Sequence, residues 1–249
     1  MTTPSPETLT QLARFDSPTI CNVVELFNHR PRCSGHLAAA IRAIYPALPP
    51  MVGYAVTATF RSAAPASPEE AVLNLFEQKA VFDAVVGPKV MVVQDLDEPH
   101  VGAVYGEIVA RLCQAYGCVG LVTNGYARDI LQVEALDFPC FASGISVSHA
   151  HCRVLSMGDT VNVGGVTVRP GDLLHGDANG VTTIPTAIAS QVADGCQAFV
   201  EAEEVLIRAA ESGALARGEY EPAFAEFRAR RDALAARLSG GGADGGVGV

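Results

Sequence analysis

Three residues at two places carry the clearest chemical potential in the chain. Glu107 follows Gly106, and after 20 intervening residues comes the pair Arg128-Asp129. The patterns on either side make each place the start of a helix. Helix N-termini carry unpaired N–H groups and the positive end of the helix dipole, so they attract carboxylates. Gly106 lets a ligand approach the backbone closely. Arg128 offers a planar fork matched to a carboxylate or a 2-oxo acid. Asp129 offers a hard oxygen ligand, suited to Mg²⁺ or Mn²⁺ with several retained waters. Together they describe a site for a small oxo acid chelated to a metal. The plainer alternative is an Arg-Asp helix start that caps and is solvated.

Other candidates have weaker signals. His149-Ala150-His151-Cys152 places two imidazoles on one side if the segment is a strand, but no further Cys or His falls at a zinc-site spacing. Cys113 and Cys118 read as core thiols. Asp172 and Asp177 sit in Pro-Gly-Asp and Gly-Asp turns, where a structural role is expected. His175, between them, reads as an exposed strand-end residue. Glu203 interrupts an apolar stripe formed by Ile188, Val192, Cys196, Phe199, Leu206 and Ala210. That position suits either a helix edge or a carboxylate facing another subunit.

The elements that would position these residues alternate. Ser5-Pro6 opens a short helix to residue 14, and Asp16-Ser17-Pro18 opens a second. Val52–Phe60 reads as a strand, Glu69–Val85 as a helix and Lys89–Val93 as a short buried strand. Gly106–Tyr116 is helical, with Gly117 placed to end it. Val119–Thr123 is a buried strand, residues 128–136 a helix, and Cys140–Ala142 a strand. Helix and strand alternating at this spacing indicate an α/β layer. Between Val161 and Pro185, short β-type runs separated by Gly164-Gly165, Pro170-Gly171-Asp172 and Asn179-Gly180 make a compact β unit. A long helix covers Thr186–Leu215, and Pro222 opens a last one to about Leu238. Residues 1–238 read as one domain, and the Gly-rich segment 239–249 as a disordered tail.

Composition narrows the partners. The 249 residues carry 17 Lys+Arg against 27 Asp+Glu, a net charge of −10, which disfavours a phosphate backbone as partner. No run of about 20 apolar residues suggests a membrane span. Met1–Ala13 lacks the basic start and apolar core of a signal peptide. The seven Cys include no CxxC, so reduced, mostly buried thiols and a cytoplasmic location are expected.

The ordered set of motifs resembles a known family. It runs through Gly53–Thr57, Gly102-Ala103-Val104-Tyr105-Gly106-Glu107 and Val122–Asp129. It continues in Gly164–Asp172 and Gly176–Val181, covering roughly residues 16–200. The chain is similar to the class II 4-hydroxy-4-methyl-2-oxoglutarate/4-carboxy-4-hydroxy-2-oxoadipate aldolases. These share their fold with the regulator of ribonuclease activity A. The resemblance implies an α/β fold, with a layered β/β/α swivelling-domain-like core and helical N- and C-terminal extensions. It implies a divalent-metal-dependent aldolase that cleaves a 4-hydroxy-2-oxo acid to pyruvate and a second carbonyl compound, with oxaloacetate decarboxylation as a side activity. Carried over by position, the substrate loop falls on the backbone amides of Gly106, Glu107, Ile108 and Val109. The pyruvyl clamp falls on Arg128 and the metal ligand, for Mg²⁺ or Mn²⁺, on Asp129; in the mechanism this implies, a metal-bound water or one positioned by Glu107 as a catalytic residue takes the C4 hydroxyl proton. Two positions depart from the family pattern: Glu107 stands where Asp is usual, and Gln132 where an acid is usual. The resemblance also implies a homotrimer or hexamer, with a neighbouring subunit's glutamate, at Glu203 or Glu204, near the metal. The alternative it carries is a non-catalytic regulator that binds a ribonuclease or other protein.

Overall fold

The computed structural model describes residues 3–240. Two short capped helices open it: α1 (Pro6–Leu12) and α2 (Ser17–Leu26). The Ser5 hydroxyl accepts the Thr8 N–H at 3.2 Å, and the Asp16 carboxylate accepts the Thr19 N–H at 2.9 Å. Each helix carries Pro in its first turn. Next come β1 (Arg42–Ala43), β2 (Met51–Arg61), the five-residue α3 (Lys79–Asp83) and β3 (Lys89–Asp95). The repeat that builds the site follows: β4 (Ala103–Tyr105), α4 (Glu107–Ala115), β5 (Cys118–Thr123), β6 (Tyr126–Ala127), α5 (Ile130–Glu134), β7 (Cys140–Ala142) and β8 (Gly144–Ile145). Then come β9 (Arg153–Met157), β10 (Val161–Val163), β11 (Val166–Val168), β12 (Leu173–Asp177) and β13 (Gly180–Ile184). The chain closes with α6 (Ala189–Glu211) and α7 (Tyr220–Gly240).

The main sheet has the order β1-β7-β5-β3-β2-β12-β13, with β9 also paired to β2. Strands β2, β3, β5 and β7 are parallel, and β1, β9, β12 and β13 join antiparallel. The parallel strands bury both faces because their side chains alternate between two cores. Met91 and Val93 face the side covered by α1, α2 and α6, while Val90 and Val92 face the β10–β11 hairpin through Val161, Val163 and Val168. Each of β3, β5 and β7 is followed by one short strand of a second, parallel sheet, β4-β6-β8. Two β layers with helices outside are the layered β/β/α core that was expected.

Several elements differ from the sequence reading. The helix expected over Glu69–Val85 is a 3₁₀ turn at Leu75–Glu77 followed by α3 alone. Residues 69–74 form no helix because they dock on β9: the Leu73 N–H donates to the Val154 carbonyl at 2.8 Å, and Glu70 lies 2.7 Å from Arg153. Tertiary contact overrides helix propensity there. The helix expected over 128–136 begins only at Ile130, since Asp129 is left-handed (φ 55°). The long helix ends at Glu211, where Gly213 takes φ 72°. The segment His149–Cys152 is a turn, with Ala150 at φ 46°, so its imidazoles do not share a strand face. His175 is wholly buried inside β12, not exposed at a strand end. All seven thiols are free; Cys113, Cys118, Cys140 and Cys196 are buried, and Cys33 and Cys152 are exposed. The Gly-rich tail assigned to 239–249 lies outside the described residues from 241 onward.

Candidate functional site

The 20-residue spacing is the length of one structural repeat. Between Glu107 and Arg128 the chain completes α4, crosses back through β5 and enters the second sheet as β6. Strands β4 and β6 are parallel neighbours, with Tyr105 opposite Ala127. The residues that follow them, Gly106-Glu107 and Arg128-Asp129, therefore sit side by side at the same sheet end. The Arg128 N–H donates to the Tyr105 carbonyl at 3.1 Å and fixes that register.

Asp129 precedes α5 but makes no side-chain cap to it. Its left-handed backbone turns the carboxylate toward the neighbouring helix instead. There Oδ2 accepts the Glu107 N–H at 3.0 Å. Arg128 Nε lies 3.7 Å from the same oxygen. Positive φ at a non-glycine residue is a strained conformation that the surroundings must hold in place. A Cβ on Gly106 would run into this carboxylate and the stem of Arg128, so the close approach requires glycine there. The first-turn N–H groups of Ile108 and Val109 have no acceptor within the helix.

The side chains of Arg128 and Asp129 are about one-third exposed, at 32% and 37%. The Glu107 carboxylate lies along α4, where Oε1 accepts from Arg111 Nε at 2.9 Å and Nη2 at 2.8 Å. Glu107 thus gives the site its N–H, while its carboxylate is held in an exposed i,i+4 pair of the weak kind. Glu204 pairs with Arg208 at 2.6 Å. Glu203 is partly buried in α6, and burial and the charge of Asp16 push its carboxyl up.

The donor chemistry at Asp129 fits a hard cation. Oδ2 is engaged, and Oδ1 accepts no hydrogen bond from the described residues. One carboxylate plus water is an ordinary protein contribution to Mg²⁺. Among the described residues no three His, Cys, Asp or Glu side chains converge, so a cage supplied wholly by them is absent.

A cavity of about 330 Å³ adjoins Gly106 and Arg128. Its far wall comes from Leu73, Leu75 and Val154. Sequence reasoning missed these residues, and no local signal marks them: the segment reads as helix, and its docking on β9 is a long-range contact.

A family model described as "RraA-like: Aldolase/RraA" matches residues 19–183. A putative 4-hydroxy-4-methyl-2-oxoglutarate aldolase of Halalkalibacterium halodurans is 34% identical over 113 residues, 45% of this chain and 53% of the relative. An uncharacterized protein of Methanocaldococcus jannaschii is 32% identical over 104 residues, 41% of this chain and 49% of the relative. The matched stretches thus span about half the length of these curated relatives or less. Among solved structures, Streptomyces coelicolor RraAS2, described as an unusual member of the RNase ES inhibitor RraA family, is 25% identical. It superposes with a TM-score of 0.64 over 81% of this chain and 96% of its own. An uncharacterized Pseudomonas syringae protein, 24% identical, shares the fold at a TM-score of 0.66 over 86% of this chain and 96% of its own. With the family model extending from α2 through β13, the chain belongs to the RraA-like family.

Proposed function

We propose that the site at Gly106–Asp129 binds the carboxylate and 2-oxo group of a small oxo acid. We propose further that the chain cleaves a 4-hydroxy-2-oxo acid to pyruvate and a second carbonyl compound. The observation that carries this is the orientation of Asp129: a strained residue aims its charge away from its own helix, beside Arg128 and the N-terminus of α4, whose first N–H it accepts. A divalent ion held at Asp129, Mg²⁺ or Mn²⁺, would supply Lewis-acid polarisation of the 2-oxo group.

The chain's own residues account for the rest. The first-turn N–H groups and the guanidinium of Arg128 bind the carboxylate end. Arg128 stabilises the enolate charge that develops as C3–C4 breaks. Glu107, released from its weak pair with Arg111, positions a water that takes the C4 hydroxyl proton and returns a proton to C3. Oxaloacetate decarboxylation gives the same enolate and is expected as a side activity. The test is pyruvate release from a panel of 4-hydroxy-2-oxo acids and from oxaloacetate with added Mg²⁺. Arg128→Lys keeps the charge and loses the fork, so KM should rise and kcat fall together, each by about tenfold. A raised KM with kcat unchanged would remove Arg128 from the transition-state contacts.

A second reading is a regulator that binds a ribonuclease or other protein without catalysis. The RraAS2 likeness favours it. No turnover and no oxo-acid binding in the panel would establish this reading over the first.

We also propose assembly as a homotrimer or hexamer. Ile108, Leu131, Ile145 and Val147, on or next to the elements that flank the site, are 66%, 75%, 62% and 95% exposed. Two of the elements that bear them, α4 and α5, adjoin one another, and an apolar patch shared across neighbouring elements is what an interaction surface requires. Sedimentation velocity at micromolar concentration should show the assembly, and a stable monomer would contradict it. Among the described residues, no helix is long and apolar enough to cross a membrane. A cytoplasmic location and a small-molecule partner remain part of the proposal.

A further inference from the structure

The cavity beside Arg128 differs in character from the site it adjoins. Its walls include Phe60, Leu73, Leu75, Ile108, Leu112 and Val154. At about 330 Å³ it is near the lower end for small-molecule pockets, which run from about 300 to 1,000 Å³. The wall is tied down. Segment 69–75 is fastened to β9 by the Leu73 N–H to Val154 carbonyl hydrogen bond, at 2.8 Å, and by the Glu70–Arg153 pair.

Two arginines line the cavity, Arg128 and Arg153. Arg153 is committed elsewhere. Its side chain is only 9% exposed, its Nε lies 2.7 Å from Glu70 Oε2, and its guanidinium also donates to the Ala64 carbonyl. Two further lining side chains make contacts within their own segments. His149 Nδ1 lies 2.7 Å from the Ala150 carbonyl, and Asn74 donates to Glu77 at 2.7 Å. Among the described residues that line the cavity, Arg128 is therefore the arginine left to meet a ligand, and the first carboxylate already uses it. A second carboxylate entering here would lose hydration without gaining a counter-charge.

We propose that this cavity is the subsite for the C4 substituent and selects an aliphatic or aromatic group over a carboxylated one. The substrate class is then a 4-hydroxy-2-oxo acid with a single carboxylate. This inference rests on the oxo-acid reading above. The chemistry balances without a redox partner. In 4-hydroxy-2-oxo-4-phenylbutanoate, for example, the C3–C4 electron pair passes to the pyruvate enolate. The C4 hydroxyl loses its proton as C4 becomes the carbonyl carbon of benzaldehyde, and C3 gains a proton.

Binding separates this inference from the reading beneath it. Full-length protein with Mg²⁺ is titrated calorimetrically with pyruvate, 2-oxoglutarate and 2-oxo-4-phenylbutanoate, none of which can undergo the cleavage. The phenyl compound should bind at least about tenfold tighter than 2-oxoglutarate, a discrimination that apolar pockets reach with one or two carbons. Val72 lines the cavity and is 48% exposed, so Val72→Arg adds a cation there without disturbing the core. It should shift the affinity ratio toward 2-oxoglutarate by about tenfold or more. If pyruvate binds and 2-oxoglutarate matches or exceeds the phenyl compound in wild type, the subsite assignment is overturned while oxo-acid binding stands. An unchanged ratio in Val72→Arg places the phenyl group elsewhere and also overturns it. If none of the three binds, the oxo-acid reading itself falls.

Discussion

Asp129→Asn should abolish metal-dependent pyruvate release while leaving the fold intact. The substitution is conservative in three respects. Asn is among the residues that best tolerate the left-handed conformation found at φ 55°. Its amide oxygen can still accept the Glu107 N–H that Oδ2 now accepts at 3.0 Å. Its volume is nearly unchanged beside Gly106. Only the charge is lost, and charge is what a hard cation requires of its one protein carboxylate here. A loss of at least about 100-fold is expected, beyond the 10–100-fold typical of residues one shell removed from a metal. Oxaloacetate decarboxylation should fall in parallel, because both reactions pass through one enolate. Gln132→Ala should be nearly silent, since Gln132 is exposed and three residues on. Correctly folded Asp129→Asn with near wild-type, EDTA-sensitive turnover would place the metal elsewhere.

The parts of the fold that were legible in sequence are those with local causes. Ser5-Pro6 and Asp16-Ser17-Pro18 start helices where a side-chain oxygen and a proline both favour it. Gly117 ends α4 at φ 82°, a conformation glycine adopts without strain. The runs 118–123 and 140–142 are buried strands with no alternative period. The second sheet was not legible. Its strands are two or three residues long, too short to carry a period, and they exist because β3, β5 and β7 deliver them side by side. The chemistry of Arg128 and Asp129 was readable from residue type, but its geometry was not. An aspartate before a helix reads as that helix's cap, whereas here the carboxylate serves α4 across the strand pair. Gly106 was singled out for close approach, and the space it leaves is filled by that carboxylate. The cavity wall at Leu73 and Leu75 was invisible because its conformation is imposed by β9, about 80 residues away in the chain.

His175→Ala should cause the largest loss of stability among single changes away from the site, and it should also change the pH dependence of folding. His175 is 0% exposed in β12. Its Nδ1 lies 2.9 Å from the Ser17 hydroxyl, and its Nε2 lies 3.0 Å from the Phe15 carbonyl and 3.2 Å from that of Leu12. Carbonyls only accept, so Nε2 carries the proton and Nδ1 accepts from Ser17. The ring thereby clamps the α1–α2 corner to the sheet, next to Asp177, whose carboxylate accepts the Ser17 N–H at 2.7 Å. Truncation leaves a cavity, reduces the Ser17 hydroxyl to its longer 3.4 Å contact with the Gly180 carbonyl, and leaves two carbonyls without their donor, together worth about 3 kcal/mol or more. Burial holds the imidazole pKa below its usual 6.5, against the opposing pull of Asp177 and the two carbonyls. As pH falls through about 6.5, the unfolded chain takes up a proton that the native ring refuses, so this residue's contribution is full above that pH and declines below it. Asp95 and Glu203 act in the opposite sense, because burial raises their carboxyls and favours the native state as they protonate. The informative quantity is therefore the difference between wild type and variant in urea midpoints from pH 5 to 8, in which those two carboxyls cancel. That difference should be greatest at pH 7–8 and shrink toward pH 5. A difference independent of pH would mean that His175 is protonated in the native state to the same extent as in the unfolded chain, and the buried neutral clamp would be wrong. His175→Gln, which restores a donor near Nε2 but cannot titrate, should recover part of the lost stability and show the same shrinking difference.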